Sequence, residues 1–369
     1  LQKKDYKNAF RQIKALDKLY QEDGYRVYQL ALTAENDNDY DAAIEGFSYI
    51  VASKGVKNPL YLDAKQKVFA CKRKKLTSGY TFTLNELRIL EQEYETFLIE
   101  IGRYNGTAQI MMELADLEAL YLNDVDKAIK ILEEVVDFPM LQAQRQARAK
   151  LSLGDYYLIK GENWEATLLY SQVDKAFKDD ALGHEARFRN AKLAYYKGDF
   201  AWAKTQFGVL KSSTSKLIAN DAIDMDVFIT DNMGLDSNTT ALEMYANAEL
   251  FMFQNRFAEA FATMDSVLTM YPNHSLNDDV LYLKAKIYTK KQEYEKAIEY
   301  YNLILKNHVE EIRADNALFE MAELYEIPLK NKEKAKELYE KLFNEFSSST
   351  LAVEARKKYR ILRGDKVPQ

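Results

Sequence analysis

The side chains able to do chemistry are few and scattered. The three histidines are His184, His274 and His308, each in or beside a stretch that reads as a linker. A zinc-protease helix needs H-E-x-x-H, two imidazoles one turn apart with a carboxylate between them. HEAR at His184 supplies only the first imidazole. Cys71 is the single cysteine, so there is neither an internal disulfide nor a paired-thiol zinc spacing, and the redox compartment stays open. No nucleophile elbow, dinucleotide loop or Walker-type loop occurs. STSK (Ser213–Lys216) has the S-x-x-K form in which a lysine activates a serine. Without companion motifs it reads as a polar linker.

Other charged and polar groups have plainer readings. Sequons at Asn105, Asn238 and Asn273 fall in linkers already rich in Asn, Ser and Thr. The pairs Asp179–Asp180 and Asp278–Asp279 precede helices, where carboxylates answer the positive end of the helix dipole. In ACKRKKL, Lys72, Arg73, Lys74 and Lys75 would lower the pKa of Cys71. The alternative is a small buried residue beside a solvated basic helix end. The basic run itself suits a solvated face, or contact with anionic lipid or an acidic partner. No clustered polar site emerges. A non-enzyme without a cofactor or metal is expected.

Composition points to long helices. Across 369 residues there are only 13 Gly and 5 Pro, so chain breakers are rare. Apolar residues make up 47%, enough to bury a core. A net charge of −6 argues against a nucleic-acid surface. No apolar run approaches the roughly 20 residues of a membrane span. The opening LQKKDYKNAF already reads as helix interior. A natural start further upstream is therefore expected, where a removed signal or anchor would lie.

The helices repeat. Ala297 in EYEKAIEYY, Ala260 in RFAEAFATM, Ala203 in DFAWAKTQF and Ala166 in NWEATLLY occupy one position, with Ala260–Ala297 and Ala166–Ala203 each 37 residues apart. Twelve residues before them stand Ala285, Ala248, Ala191 and Gly154; four after stand Tyr301, Met264, Phe207 and Tyr170. Ala43 has the same neighbours in Ala31 and Phe47. Two antiparallel helices approach closely only where one offers a small side chain. A large residue one turn later fills the space beside it. Gly161, Gly198, Asn38 and Asn255 suit a left-handed turn between the helices. Two copies, Ala115 to Ala128 and Ala322 to Ala335, are spaced by 13, which predicts a longer turn, started in the second by Pro328.

This pattern predicts hairpins at about 25–52, 108–136, 147–174, 184–211, 241–269, 278–306 and 315–344. Residues 1–19 read as the second helix of a truncated hairpin, and 350–362 as a terminal capping helix. Residues 60–102 form an irregular hairpin without the small-residue ruler, and 217–232 a helix without a regular partner. The expected division is an N-terminal array over 1–232, a junction loop at 233–240 and a C-terminal array over 241–369.

LSLGDYYLIKGENWEATLLY carries the Leu–Gly…Tyr…Gly…Ala…Tyr order and resembles the tetratricopeptide repeat. Pro272 in TMYPNHS stands where that family often ends its second helix. The resemblance covers nearly the whole chain and implies an all-α, right-handed superhelical solenoid of hairpins. It also implies a concave groove lined by first helices. Carried over by position, the groove residues are Phe188, Tyr245, Tyr282 and Phe319, three before each first-helix alanine. The residues after those alanines, Lys192, Glu249, Lys286 and Glu323, alternate in charge. The same rings would equally suit packing between hairpins.

Tyr271–Leu305 is similar to repeats of bacterial envelope proteins of this family, and the C-terminal FSSSTLAVEARKKYRILRGD to those of Bacteroidetes-type bacteria. The implied function is a scaffold binding a protein partner, as a peptide segment or helix, in the groove. Phe188, Lys192, Tyr245, Tyr282, Lys286 and Phe319 would make the contact. The implied location is the periplasmic side of a cell envelope, with the cytoplasm as alternative. The competing function is a carbohydrate-binding component of an outer-membrane uptake system. That reading needs exposed tryptophan, and Trp164 and Trp202, next to ruler alanines, are expected in the core.

Overall fold

The structure, a computed structural model, describes residues 5–77, 82–213, 215–233 and 239–365. These residues form nineteen α-helices and no strand. Contacts divide the chain into two compact units, Leu1–Tyr156 and Tyr157–Gln369. The junction expected at 233–240 lies mostly on 234–238, outside the described residues.

The first unit opens with α1 (Tyr6–Leu19), then the hairpin α2 (Tyr25–Asn36) and α3 (Tyr40–Lys54). Phe10 of α1 is fully buried against this hairpin. Gly46 of α3 makes the approach possible: a Cβ there would lie 2.5 Å from the Phe10 ring and 2.7 Å from Ala31 Cβ. The irregular pair is α4 (Tyr61–Thr77) and α5 (Leu84–Ile101). Lacking a ruler alanine, it joins through rings: Phe69 stacks on Tyr94 at 4.1 Å, and Phe97 meets Phe69 edge-on. The hairpin α6 (Ala108–Leu120) and α7 (Val125–Val136) follows, and α8 (Ala143–Lys160) contains the division between units.

The second unit continues with α9 (Asn163–Ala176) and the hairpin α10 (Ala181–Tyr196) and α11 (Phe200–Leu210). The unpaired α12 (Lys216–Asn232) comes next. Three hairpins complete the array: α13 (Thr240–Phe253) with α14 (Phe257–Met270), α15 (Asn277–Lys290) with α16 (Tyr294–Asn307), and α17 (Arg313–Glu326) with α18 (Lys332–Glu345). Then α19 (Ala352–Arg363) caps the stack, burying Ala352 and Ala355 in the core shared with α18.

The ruler sets the packing. Ala31, Ala43, Ala115, Ala128, Ala166, Ala191, Ala203, Ala248, Ala260, Ala285, Ala297, Ala322 and Ala335 are all 0% exposed. The large residues four after the second-helix alanines are buried with them, from Phe47 to Tyr339. The turns are equally regular. Five residues before each second-helix alanine stands one left-handed residue: Asn38, Asn123, Gly161, Gly198, Asn255, Gln292 or Lys330, with φ between 54° and 89°. The next N–H then closes the first helix. Asp39 donates to Ala34 O and Glu293 to Tyr288 O, each at 2.9 Å, five residues back. In the two longer turns it reaches six back, Asp124 to Glu118 O at 2.9 Å and Asn331 to Tyr325 O at 2.7 Å. The extra residue therefore sits wholly in the turn. Asp39, Asp124, Asp199 and Asn331 then cap the second helix, each side chain accepting an N–H of its first turn.

Candidate partner-binding surface

Four first helices of the second unit, α10, α13, α15 and α17, carry an aromatic residue three before the ruler alanine, and in α10, α15 and α17 it packs on their own second helix. Phe188 packs on Phe207 at 5.4 Å, Tyr282 on Tyr301 at 5.9 Å and Phe319 on Tyr339 at 5.7 Å. Tyr245 is buried and lies 5.4 Å from Phe228 of α12. Phe188, Tyr282 and Phe319 are half-buried, so one side of each ring packs while some surface stays open. Burial, with the Glu320 carboxylate beside it, holds the Tyr282 hydroxyl far above its ordinary pKa.

The charged positions are engaged within the array. Lys286 pairs with both oxygens of Glu320, one repeat on, at 2.8 and 2.9 Å. Glu320 also accepts from the hydroxyls of Tyr282 at 2.5 Å and Tyr301 at 2.7 Å. Glu323 receives Lys358 of the capping helix at 3.1 Å. Lys192 lies over the Tyr196 ring at 5.6 Å; Tyr196 first, and Glu249 beside it, hold its ammonium above the usual lysine pKa.

Beside these helices is a cleft of about 500 Å³ lined by Asp224, Asp231, Asp278, Asp279, Glu311 and Asp315, with Arg313 its one cation. Asp278 accepts the Arg313 backbone N–H at 3.3 Å, while Asp279 takes the guanidinium at 2.5 Å. Burial nevertheless pushes Asp279 up to about 7, with Asp278 adding to the shift and Arg313 opposing it. The guanidinium also lies 5.1 Å over the Tyr282 ring. The arrangement offers aromatic edges and uncompensated negative charge, chemistry suited to holding cationic or aromatic groups. Sequence reasoning put Asp278–Asp279 ahead of a helix; they lie inside its first turn instead, and their link to the next hairpin, thirty-odd residues away, was missed.

The remaining candidates fall elsewhere. Cys71 is fully buried, and burial followed by Glu35 pushes its thiol up to about 11, the opposite of activation. The basic run beside it is spent on ion pairs: Lys72 to Glu93, Arg73 to Asp116, Lys74 to Glu35 and Lys75 to Asp41. Ser213 Oγ lies 2.8 Å from His184 Nδ1, tying the loop before α12 to α10. Asn105 donates to Pro139 O at 2.6 Å, and Asn238 lies outside the described residues. Among the described residues no group of three His, Cys, Asp or Glu side chains is placed to hold a metal ion. No described helix is long and apolar enough to cross a membrane.

One expectation is corrected. Trp164 and Trp202 are not core residues; they are 74% and 43% exposed. The reason is helical phase: one and two residues from the ruler alanine are about 100° and 200° around the helix.

Two family models match the chain, both described as tetratricopeptide repeat, over residues 252–325 and 316–349. No curated protein matches. Among solved structures the chain is similar to a tetratricopeptide repeat protein from Parabacteroides merdae ATCC 43184, at 16% identity and TM-score 0.40, covering 76% of this chain and 91% of that one. It is also similar to the P58(IPK) TPR domain, at 15% identity and TM-score 0.28, covering 99% and 95%. Residues 252–349 thus match tetratricopeptide repeats, and the same alanine-ruled hairpin recurs from α2 onward.

Proposed function

We propose that this protein is a non-enzymatic scaffold that binds a peptide segment or helix of a partner protein along the first helices of its second unit. Tetratricopeptide repeats are protein-interaction modules, and the reading refines that general role. Its main support is the acid-lined cleft, whose six carboxylates face one arginine, next to the half-buried ring of Tyr282. A segment carrying lysine or arginine would lay its methylene stem on exposed Ile312 and its charge among the acids. In this reading half-buried Phe188 with Lys192 on α10, Lys286 on α15 and half-buried Phe319 on α17 supply further first-helix contacts. We place the protein at a bacterial cell envelope, on the likeness of Tyr271–Leu305 to envelope repeats; subcellular fractionation tests this.

The binding test uses the exposed acids. Asp224→Lys, Asp231→Lys and Glu311→Lys together leave the core untouched. Crosslinking capture from the source organism, followed by titration of the purified partner, should show binding to the native chain and at least a tenfold loss in the triple variant. Unchanged affinity in a variant with unchanged circular dichroism would remove the cleft from the interface.

A second reading rests on exposed Trp164 and Trp202, which a carbohydrate-binding protein would use as stacking platforms. Glycan-dependent quenching of tryptophan fluorescence would favour it. The scaffold reading expects none.

A further inference from the structure

Successive gaps between second helices are filled differently. Between α14 and α16, Tyr288 of α15 is covered on both sides. Its ring lies 5.0 Å from Phe261 of α14 and stacks on Tyr300 of α16 at 5.5 Å with planes 17° apart. One repeat later the residue at this position is Tyr325 of α17. There the sequence replaces Phe261 by Ile298 and Tyr300 by Leu338. Among the described residues no ring packs on Tyr325. In place of the stack is a cleft of about 430 Å³ beside Tyr325. Its apolar floor includes Leu318, Met321 and Leu338, all buried.

The rim is basic on an acidic chain. Lys306, Lys334 and Lys341 surround the opening, with Glu337 the one carboxylate in the lining. Lys334 is paired with Glu337 at 2.8 Å, but Lys341 reaches only Glu345, at 3.7 Å. Lys306 has no ionic partner among the described residues. One repeat earlier the equivalents of Lys306 and Lys341 are Thr269 and Leu303, so stacking of hairpins does not require these charges.

We infer that this cleft docks an acidic segment of a partner protein, which inserts one aromatic side chain against Tyr325. The ring supplies from outside the stack that Tyr300 supplies from within the preceding repeat, an offset arrangement favoured by the aromatic quadrupole. Carboxylates on either side of it meet Lys306 and Lys341, giving orientation and a faster encounter. The site is separate from the acid-lined cleft and opposite to it in charge, so the two proposals fail independently.

The probe is a short dye-labelled peptide with one phenylalanine between pairs of glutamates, titrated with the full chain and read by anisotropy. Saturable binding is expected. It should weaken at least tenfold with Lys306→Glu plus Lys341→Glu, and with a peptide whose phenylalanine is alanine. Leu338→Tyr, which rebuilds the preceding repeat's filling, should abolish it. If that variant melts early, the two exposed lysines still decide the outcome. No saturable binding up to about 1 mM, or binding indifferent to these changes, overturns the proposal. So does self-association of the chain that Leu338→Tyr abolishes, which would seat a second copy in the cleft.

Discussion

Glu320 shows how much one side chain can hold. It accepts Tyr282, Tyr301 and Lys286 together, joining α15 and α16 to α17. Truncation strands two phenols and an ammonium in a part-buried site. Glu320→Ala should cost about 2–4 kcal/mol, and Glu320→Gln, which keeps an acceptor, clearly less; urea unfolding of the full chain distinguishes them. Asp279 carries a pH signature. With its folded pKa raised from 3.8 to about 7, the native state binds the proton more tightly than the unfolded chain. Its contribution to stability is therefore fullest below pH 3.8, declines as pH rises and levels off above 7. The melting temperature of the native protein minus that of Asp279→Asn should fall between pH 4 and 7 and then flatten. A flat difference throughout would refute the assignment.

At the scale of the element, the hairpin is defined by its ruler and its turn, and the two were not equally legible. Burial of the alanines followed directly from spacing, because a repeated small residue has one packing explanation. The left-handed turn was read at Asn38, Gly161, Gly198 and Asn255, where residue type announces it. It was missed at Asn123 for want of a repeat in perfect step. It was missed at Gln292 and Lys330 because nothing in those side chains favours positive φ. These positions carry strain that glycine would relieve. Gln292→Gly and Lys330→Gly should each stabilise by about 0.5–1 kcal/mol, and Gly161→Ala should cost about 1 kcal/mol, all measurable by thermal melts. The exposure of Trp164 and Trp202 was misread because proximity in sequence was taken for proximity in helical phase. Tyrosine-to-acid bonds spanning a repeat, such as Tyr6 to Asp37 and Tyr156 to Asp116, have no local signature at all. They are nonetheless one use of the chain's 26 tyrosines.

For the molecule as a whole, sequence gave the all-α class, the hairpins and the cap, whereas the candidate surface needed three dimensions. Of the rings proposed for the groove, Phe188, Tyr282 and Phe319 are half-buried in hairpin packing and Tyr245 is buried. The acid-lined cleft joins α12 to the starts of α15 and α17, a meeting that no periodicity announces. The division into arrays at 1–232 and 241–369 is a proposal about repeat regularity, distinct from the two contact-defined units. Within the second unit, Lys286 to Glu320 ties one hairpin to the next, and Ser349 to Asp315 and Lys358 to Glu326 tie the capping helix and the linker before it to the last hairpin. A cellular unfoldase pulling on α19 would therefore meet a ladder of modest rungs, α19 first and then one hairpin at a time, instead of a single high barrier.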